Sequence, residues 1–428
     1  MLIEFIVGNY RSFKDPVTFS MVAAKLRAKD KTLDENNVFP LTDKISLLKS
    51  CAIYGANASG KSNLVEAFRF MRRFVLSSAT GMQVDEPINI ERFRLSTETE
   101  NEPSFFETVF YVEDKRYRYG FTLDKQKIHL EWLYHVPKVK EANLFYRKGD
   151  EFELSGTFRE GKRLQDKTRD NALFLSVVAQ FNGAISQTVL RWFRELEVKY
   201  GIGDIDREIT IDGLEDEILR ERIIAFVKQM DLGIDDIEIK RPEMASYIVK
   251  SSAKFEDSPE FEDYWVPFPT ISTIHKRYNS NKIEDSSASF DLDENESEGT
   301  QKLFDLAGPI LNILQNGRTL VIDELDARLH PLITEAIIQL FNSNETNPNN
   351  AQLVFTTHDT NLLSNELFRR DQIWFTEKDK YGATDLYSLA EFKKIRNDAS
   401  FEKDYITGRY GAIPFIGGLH GLIEGADG

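Results

Sequence analysis

An apolar run ending at Tyr54 passes directly into Gly55-Ala56-Asn57-Ala58-Ser59-Gly60-Lys61-Ser62, and Asn63-Leu64-Val65-Glu66-Ala67-Phe68 continues as a helix-compatible segment. Strand, then G-x-x-x-x-G-K-S, then helix is the context in which such a loop wraps a phosphate. Its small residues let the backbone approach closely with the N–H groups turned inward, and the helix N-terminus adds partial positive charge. Lys61 is placed to reach β- and γ-phosphates and Ser62 to ligate Mg²⁺. Gly55, Asn57, Ala58, Ser59, Gly60, Lys61, Ser62 and Asn63 are therefore the expected ATP-binding residues.

Two later strands end in chemistry that fits this loop. Leu320-Val321-Ile322-Asp323-Glu324 is apolar up to two adjacent carboxylates. Alternation along a strand aims these side chains differently, so Asp323 can face a metal shell while Glu324 serves as base or positioning group for an attacking water. Leu353-Val354-Phe355 leads into Thr356-Thr357-His358-Asp359. His358 then either hydrogen-bonds a γ-phosphate or the water, or caps the following helix.

Strands are expected at Leu2–Val7 and Val17–Met21, and an antiparallel meander at Phe105–Val112, Arg116–Leu123 and Ile128–Tyr134. Helical periodicity takes over between about Asn171 and Leu232. From Glu284 to Glu298 there are seven acidic residues in fifteen positions and no Lys or Arg, which predicts a solvated loop. Strand and helix alternate afterwards, as in a parallel α/β sheet. The segments so defined are 1–165, with the P-loop and meander; 166–285, mostly helical; and 286–428, with the acidic strand and His358.

The formal charge of −16 opposes broad contact with phosphate backbones. A single cysteine, Cys51, excludes an intramolecular disulfide. No run of 18 apolar residues is present, and the Met-Leu-Ile-Glu-Phe start lacks a basic region and long apolar core, so the expected location is cytoplasmic, without membrane partners.

Ser297-Glu298-Gly299-Thr300-Gln301, 26 residues before Asp323, resembles the signature of ABC ATPases, and Leu325-Asp326 resembles their D-loop. Asn9-Tyr10-Arg11-Ser12-Phe13 is similar to the opening of RecF and SMC heads. Within that group the chain resembles the RloA/AbiLi-like AAA-type ATPases of bacterial anti-phage systems, through Asp323-Glu324-Leu325-Asp326, Leu329-His330-Pro331, Arg370-Asp371-Gln372-Ile373-Trp374-Phe375 and Gly408-Arg409-Tyr410-Gly411-Ala412-Ile413-Pro414. The resemblance implies an α/β fold: an ABC/SMC/RecF-type ATPase head with an antiparallel β lobe, a parallel P-loop sheet and a helical insertion. It further implies ATP and Mg²⁺ as cofactors, Ser297, Gly299 and Asp326 as nucleotide contacts, and a Q-loop glutamine as a metal contact. Gln180 is the best-placed candidate, with a plain surface glutamine as the alternative. Arg11 either touches nucleotide, as in related heads, or makes a surface salt bridge.

One copy of each motif implies a homodimer or higher oligomer in which the signature of one chain covers the P-loop of another. Three classes follow: a regulator of a separate effector, such as a Toprim-type nuclease, in phage defence; a RecF- or SMC-like repair or chromosome ATPase; and a transporter subunit. Acidic balance weighs against the second, and the insert and 70 residues after His358 against the third. Those 70 residues are too few for a Toprim domain, so the effector is expected on another chain, with nucleic-acid contact left open. Asp371, Glu377 and Asp379 are expected as a solvated face, and Arg370–Pro414 either finishes the sheet or docks the effector through exposed Arg409 and Tyr410.

Overall fold

The computed structural model describes residues 1–201, 207–230, 233–241, 269–393, 395 and 399–414. They fall into two compact units: 1–201 with 313–327 and 334–428, and 202–312 with 328–333.

The first unit is built on two sheets. The chain opens with β1 (Leu2–Gly8) and β2 (Val17–Ser20), then α1 (Lys31–Asn36), the hairpin β3 (Val38–Thr42) and β4 (Ile45–Leu48), β5 (Ser50–Tyr54) and α2 (Lys61–Ser77). The meander follows as β6 (Ser104–Val112), β7 (Lys115–Leu123), β8 (Ile128–Val136), β9 (Ala142–Lys148) and β10 (Glu151–Leu154). These strands form a seven-stranded sheet in the order β10-β9-β8-β7-β6-β1-β2, antiparallel at every pairing. Alternation in β6, buried at every second residue from Ser104 to Phe110, is what one face on a core requires. Helices α3 (Phe174–Gln180) and α4 (Ala184–Glu195) come next, then β11 (Leu196–Tyr200).

In the second unit, α5 (Arg207–Glu215) and α6 (Glu217–Gln229) precede β12 (Ile234–Lys240), β13 (Thr270–Tyr278) and β14 (Glu284–Asp291), which make a three-stranded antiparallel sheet. Then come α7 (Leu292–Asn295) and α8 (Glu298–Asn316). The acidic stretch expected as a loop is thus a strand and a short helix. Main-chain pairing to β13 carries β14, and its charges stay on an exposed edge, where they oppose further strand addition. Likewise, the stretch expected as mostly helical contains this sheet. Gly308 of α8 lies against α5 so closely that an added Cβ would stand 2.6 Å from the Thr210 Cα.

The parallel sheet of the first unit is completed by β15 (Thr319–Asp323), β16 (Gln352–Thr356), β17 (Ile373–Lys378) and β18 (Thr384–Ser388); α9 (Pro331–Asn342) lies between β15 and β16, and α10 (Phe401–Ile406) follows β18. The order is β11-β15-β16-β5-β17-β18, parallel except for β18. Every residue of β5, β15 and β16 is buried, as central strands covered on both faces must be. Helix α2 shares one core with both sheets: Phe68 stacks on Phe5 of the antiparallel sheet, and Leu64, Val65 and Phe68 join a cluster containing Cys51, Ile53, Val321 and Val354. The helix that starts at Lys61 is thereby fixed on both sides.

Candidate functional site

Strands β5, β15 and β16 run in the same direction, so their carboxyl ends bring together residues far apart in sequence. Crevices outside such ends are where open α/β sheets bind ligands. From the end of β5 the loop turns through Ala58 at φ +62° and Gly60 at φ +117° to reach α2. Lys61, only 5% exposed, donates from Nζ to the carbonyls of Gly55 at 2.8 Å and Ala56 at 3.1 Å. Burial pushes its pKa down to about 8, against the opposing pull of Asp323, Glu324 and Asp326. The N–H groups of Lys61, Ser62 and Asn63 open the helix and have no intrahelical acceptor, and the Ser62 side chain is exposed. The first-turn N–H donors, with the Lys61 ammonium held beside them, suit phosphate oxygens.

Asp323 closes β15 at 6% exposure. Thr356, at the end of β16, donates its hydroxyl to Asp323 Oδ1 and accepts the N–H of Glu324 at 2.7 Å. Glu324 then leaves the strand at φ +48°, a left-handed conformation that is unfavourable for a residue with a Cβ. Such strain gathers where side-chain direction matters more than local stability. Asp326 Oδ2 accepts the His358 N–H at 3.4 Å, while its buried Oδ1 has no hydrogen-bond partner among the described residues. The His358 imidazole is exposed; desolvation and then the nearby Lys61 charge hold its pKa below the ordinary histidine value, which keeps it neutral at pH 7. Capping of the next turn falls to Asp359, whose side chain accepts the Asn361 N–H, so the helix-cap role considered for His358 is taken.

A family described as "AAA domain, putative AbiEii toxin, Type IV TA system" matches residues 51–364. The chain belongs to this AAA family. The match spans the loop, the acidic strand and His358, and membership makes it a nucleotide-binding ATPase by class. None of the curated proteins matches. Among solved structures it is similar to the SMC head domain from Thermotoga maritima, with TM-score 0.40 and 14% identity over 90% of this chain and 98% of that one. It is also similar to an SMC head bound to the C-winged helix domain of ScpA, with TM-score 0.46 and 13% identity over 90% and 97%.

The other sequence candidates of this AAA chain lie elsewhere. Arg11, at φ +48° in the first turn, forms ion pairs with Glu91 at 3.3 Å and Glu66 at 3.7 Å, and its buried Nε lacks a hydrogen-bond partner among the described residues. Gln180 ends α3 exposed and, among the described residues, makes no hydrogen bond to the loop or to Asp323. Ser297 and Gly299 belong to the second unit. There the Ser297 hydroxyl accepts the Thr300 N–H at 3.2 Å at the start of α8, and a Cβ on Gly299 would meet the Arg328 carbonyl at 2.6 Å. Among the described residues no group of three His, Cys, Asp or Glu could hold a metal. One carboxylate and one hydroxyl, Asp323 and Ser62, still suit Mg²⁺, which typically takes few protein oxygens and completes its shell with substrate and water.

Sequence reasoning missed Thr356, Gly201 and the threonines of β17 and β18. A Cβ on Gly201 would stand 2.2 Å from the Glu324 carbonyl, and its N–H donates to the Asp323 carbonyl at 2.6 Å, so only glycine lets β11 end against the acidic turn. Within Arg370–Pro414 the expected exposure holds for Arg409 and is corrected for Tyr410. Trp374 and Phe375 lie in β17 beside β5, and Tyr410 is 1% exposed, packed on Phe375 and Phe392 with its hydroxyl donating to Asp404 at 2.9 Å. Nor is Asp371 on a solvated face: it is 4% exposed, paired with Arg369 at 2.8 Å.

Proposed function

We propose that this AAA chain is an ATP-dependent switch: it binds ATP with Mg²⁺, hydrolyses it slowly, pairs with a second copy while ATP is bound, and through that cycle controls a separate effector in anti-phage defence. The observation that carries the nucleotide site is the convergence of Lys61, Asp323, Glu324, Asp326 and His358 at the carboxyl ends of β5, β15 and β16. Lys61 and the first-turn N–H groups hold the phosphates. Ser62 and Asp323 would ligate Mg²⁺, which neutralises charge on the β- and γ-phosphates. Glu324 takes the proton of the attacking water, and neutral His358 hydrogen-bonds near the γ-phosphate and senses its loss.

For pairing, Ser297 and Gly299 of one chain complete the site of Lys61 in the other, so that ATP supplies charge-assisted bonds to both and its hydrolysis removes them. The family's description as a toxin of a toxin–antitoxin system supports defence over housekeeping. A RecF- or SMC-like repair role is the second reading, and the charge of −16 disfavours it. The shared site is tested by mixing a Lys61→Ala chain with a Gly299→Asp chain. Each is inactive alone, and mixed dimers recover part of the ATPase activity, because one of their two composite sites is intact. Mixed dimers that form yet recover none would contradict the shared site.

A further inference from the structure

The β17–β18 hairpin and the first turn close on the P-loop from behind. Thr384 donates its hydroxyl to the Ser59 carbonyl at 2.8 Å, and its N–H to the Ser12 carbonyl at 2.7 Å. Ser12 Oγ in turn accepts from Asn63 Nδ2 at 2.7 Å. Thr376 shares a 2.6 Å hydroxyl contact with Ser59 and lies 3.4 Å from the Tyr54 carbonyl. No slack remains: a Cβ on Gly55 would come within 2.5 Å of Thr376, and one on Gly60 within 2.5 Å of Thr384 and 3.0 Å of Ser12. Thr376 and Thr384 are buried, at 0% and 4% exposure.

These contacts sort the polar groups of the loop by direction. The carbonyls of Gly55 and Ala56 are taken by Lys61, that of Ser59 by Thr384, and that of Gly60 by the Leu64 N–H. With these four carbonyls held by donors, the N–H groups of the same peptides are left for an anion, whereas the Ser59 N–H turns back to the Ala56 carbonyl at 3.1 Å. A peptide plane that flipped would present a carbonyl to the phosphate instead, and the loop has two places to turn: Ala58, held at a positive φ that is unfavourable for a residue with a Cβ, and Gly60, which has none.

The geometry points to Thr384 and Thr376 as positioning residues for the nucleotide: the Thr384 hydroxyl holds the Ser59–Gly60 peptide with its N–H forward and the Thr376 hydroxyl holds the Ser59 side chain, so that strands contributed from the C-terminal third of the chain set phosphate affinity without touching phosphate. This presupposes the nucleotide site proposed above, and the test keeps the two apart.

The full chain is titrated with ATP and Mg²⁺ at equilibrium, and unliganded melting is followed in parallel. Thr384→Val keeps the shape and removes the donor; the unliganded loop then turns the Ser59 carbonyl toward water, and the dissociation constant is expected to rise about tenfold, the cost of turning it back without a partner, while unliganded Tm moves by no more than about 2 °C. Thr384→Ser, which restores the hydroxyl, returns the affinity to within about twofold. Thr376→Val weakens binding about threefold, since Ser59 keeps its own hydroxyl. Wild-type affinity in Thr384→Val overturns the inference, and so does an equal loss in Thr384→Ser accompanied by a matching fall in Tm, which would mark a merely structural role. If Thr384→Val does not fold, Thr376→Val carries the test through the other hydroxyl: weaker binding with unchanged melting supports the inference, and unchanged binding overturns it. Lys61→Ala is the control. If it binds ATP normally, the nucleotide site itself is wrong; if it loses ATP while Thr384→Val does not, only the positioning role fails.

Discussion

The carboxyl ends of β15 and β16 and the segment from Arg369 to Pro414 have similar amounts of polar chemistry but treat it in opposite ways. At the strand ends it is left open: Asp326 Oδ1 is buried without a hydrogen-bond partner among the described residues, Ser62 and His358 face solvent, and Glu324 holds a strained backbone. In the later segment most of it is closed: Arg369 pairs with Asp371 and Asp34, Gln372 bonds Asn37 and Ser50, and Tyr387 donates to Glu377 and to the Tyr410 carbonyl, while the buried Trp374 Nε1 has no hydrogen-bond partner among the described residues. Saturated polar groups stabilise a fold and have little left for a ligand, whereas unmet ones stand where a ligand is to supply the missing partner.

The largest effect is expected on the open side. Lys61→Ala removes the cation that donates to the Gly55 and Ala56 carbonyls and should weaken ATP binding about 100-fold, as a charge-assisted contact is worth ~1.5–3 kcal/mol; calorimetric titration gives the value, and unchanged affinity would place the phosphate elsewhere. On the closed side, Tyr410→Ala should cost about 3 kcal/mol of stability by emptying an aromatic cluster, whereas the exposed Arg409→Ala stays within about 0.5 kcal/mol. Denaturant midpoints of the pair settle this, and a stable, fully active Tyr410→Ala would return that surface to partner binding.

A smaller effect follows from pH. Lys61 loses its proton at about 8 in the free protein, and bound phosphate raises that value, so binding is linked to proton uptake. Affinity should be full below pH 7 and fall about tenfold by pH 9. His358, depressed, is already neutral across this window and adds no slope. A flat profile would mean that Lys61 stays charged in the free loop.

The open side was legible because its chemistry is local in sequence. Gly55 to Ser62, Asp323-Glu324 and His358 are each announced by an apolar strand running into polar residues, and β6, β7 and β8 by clean alternation between short polar turns. What could not be read depends on long-range register. Thr356 meets Asp323 only because β16 lies next to β15, and Thr376 meets Ser59 only because β17 pairs with β5. Threonines in strands carry no signal that tells these roles from ordinary β propensity. The aromatic residues from Trp374 to Tyr410 have the composition of either a core or an interface, and only their neighbours decide. Acidic β14 was hidden for a related reason, since an edge strand exposed on most of its length has the composition of a loop.

The central claim is that the constellation around Lys61 hydrolyses ATP with Glu324 as the base. Glu324→Gln preserves shape and hydrogen bonding while removing the proton acceptor, so ATP affinity should stay within about threefold of wild type while turnover falls about 100-fold or more. Light scattering with ATP and Mg²⁺ should then show a longer-lived dimer than wild type forms. Equilibrium binding and steady-state phosphate release on the same preparation decide the matter: retained binding with lost hydrolysis is the predicted result, and wild-type hydrolysis in Glu324→Gln would contradict the account.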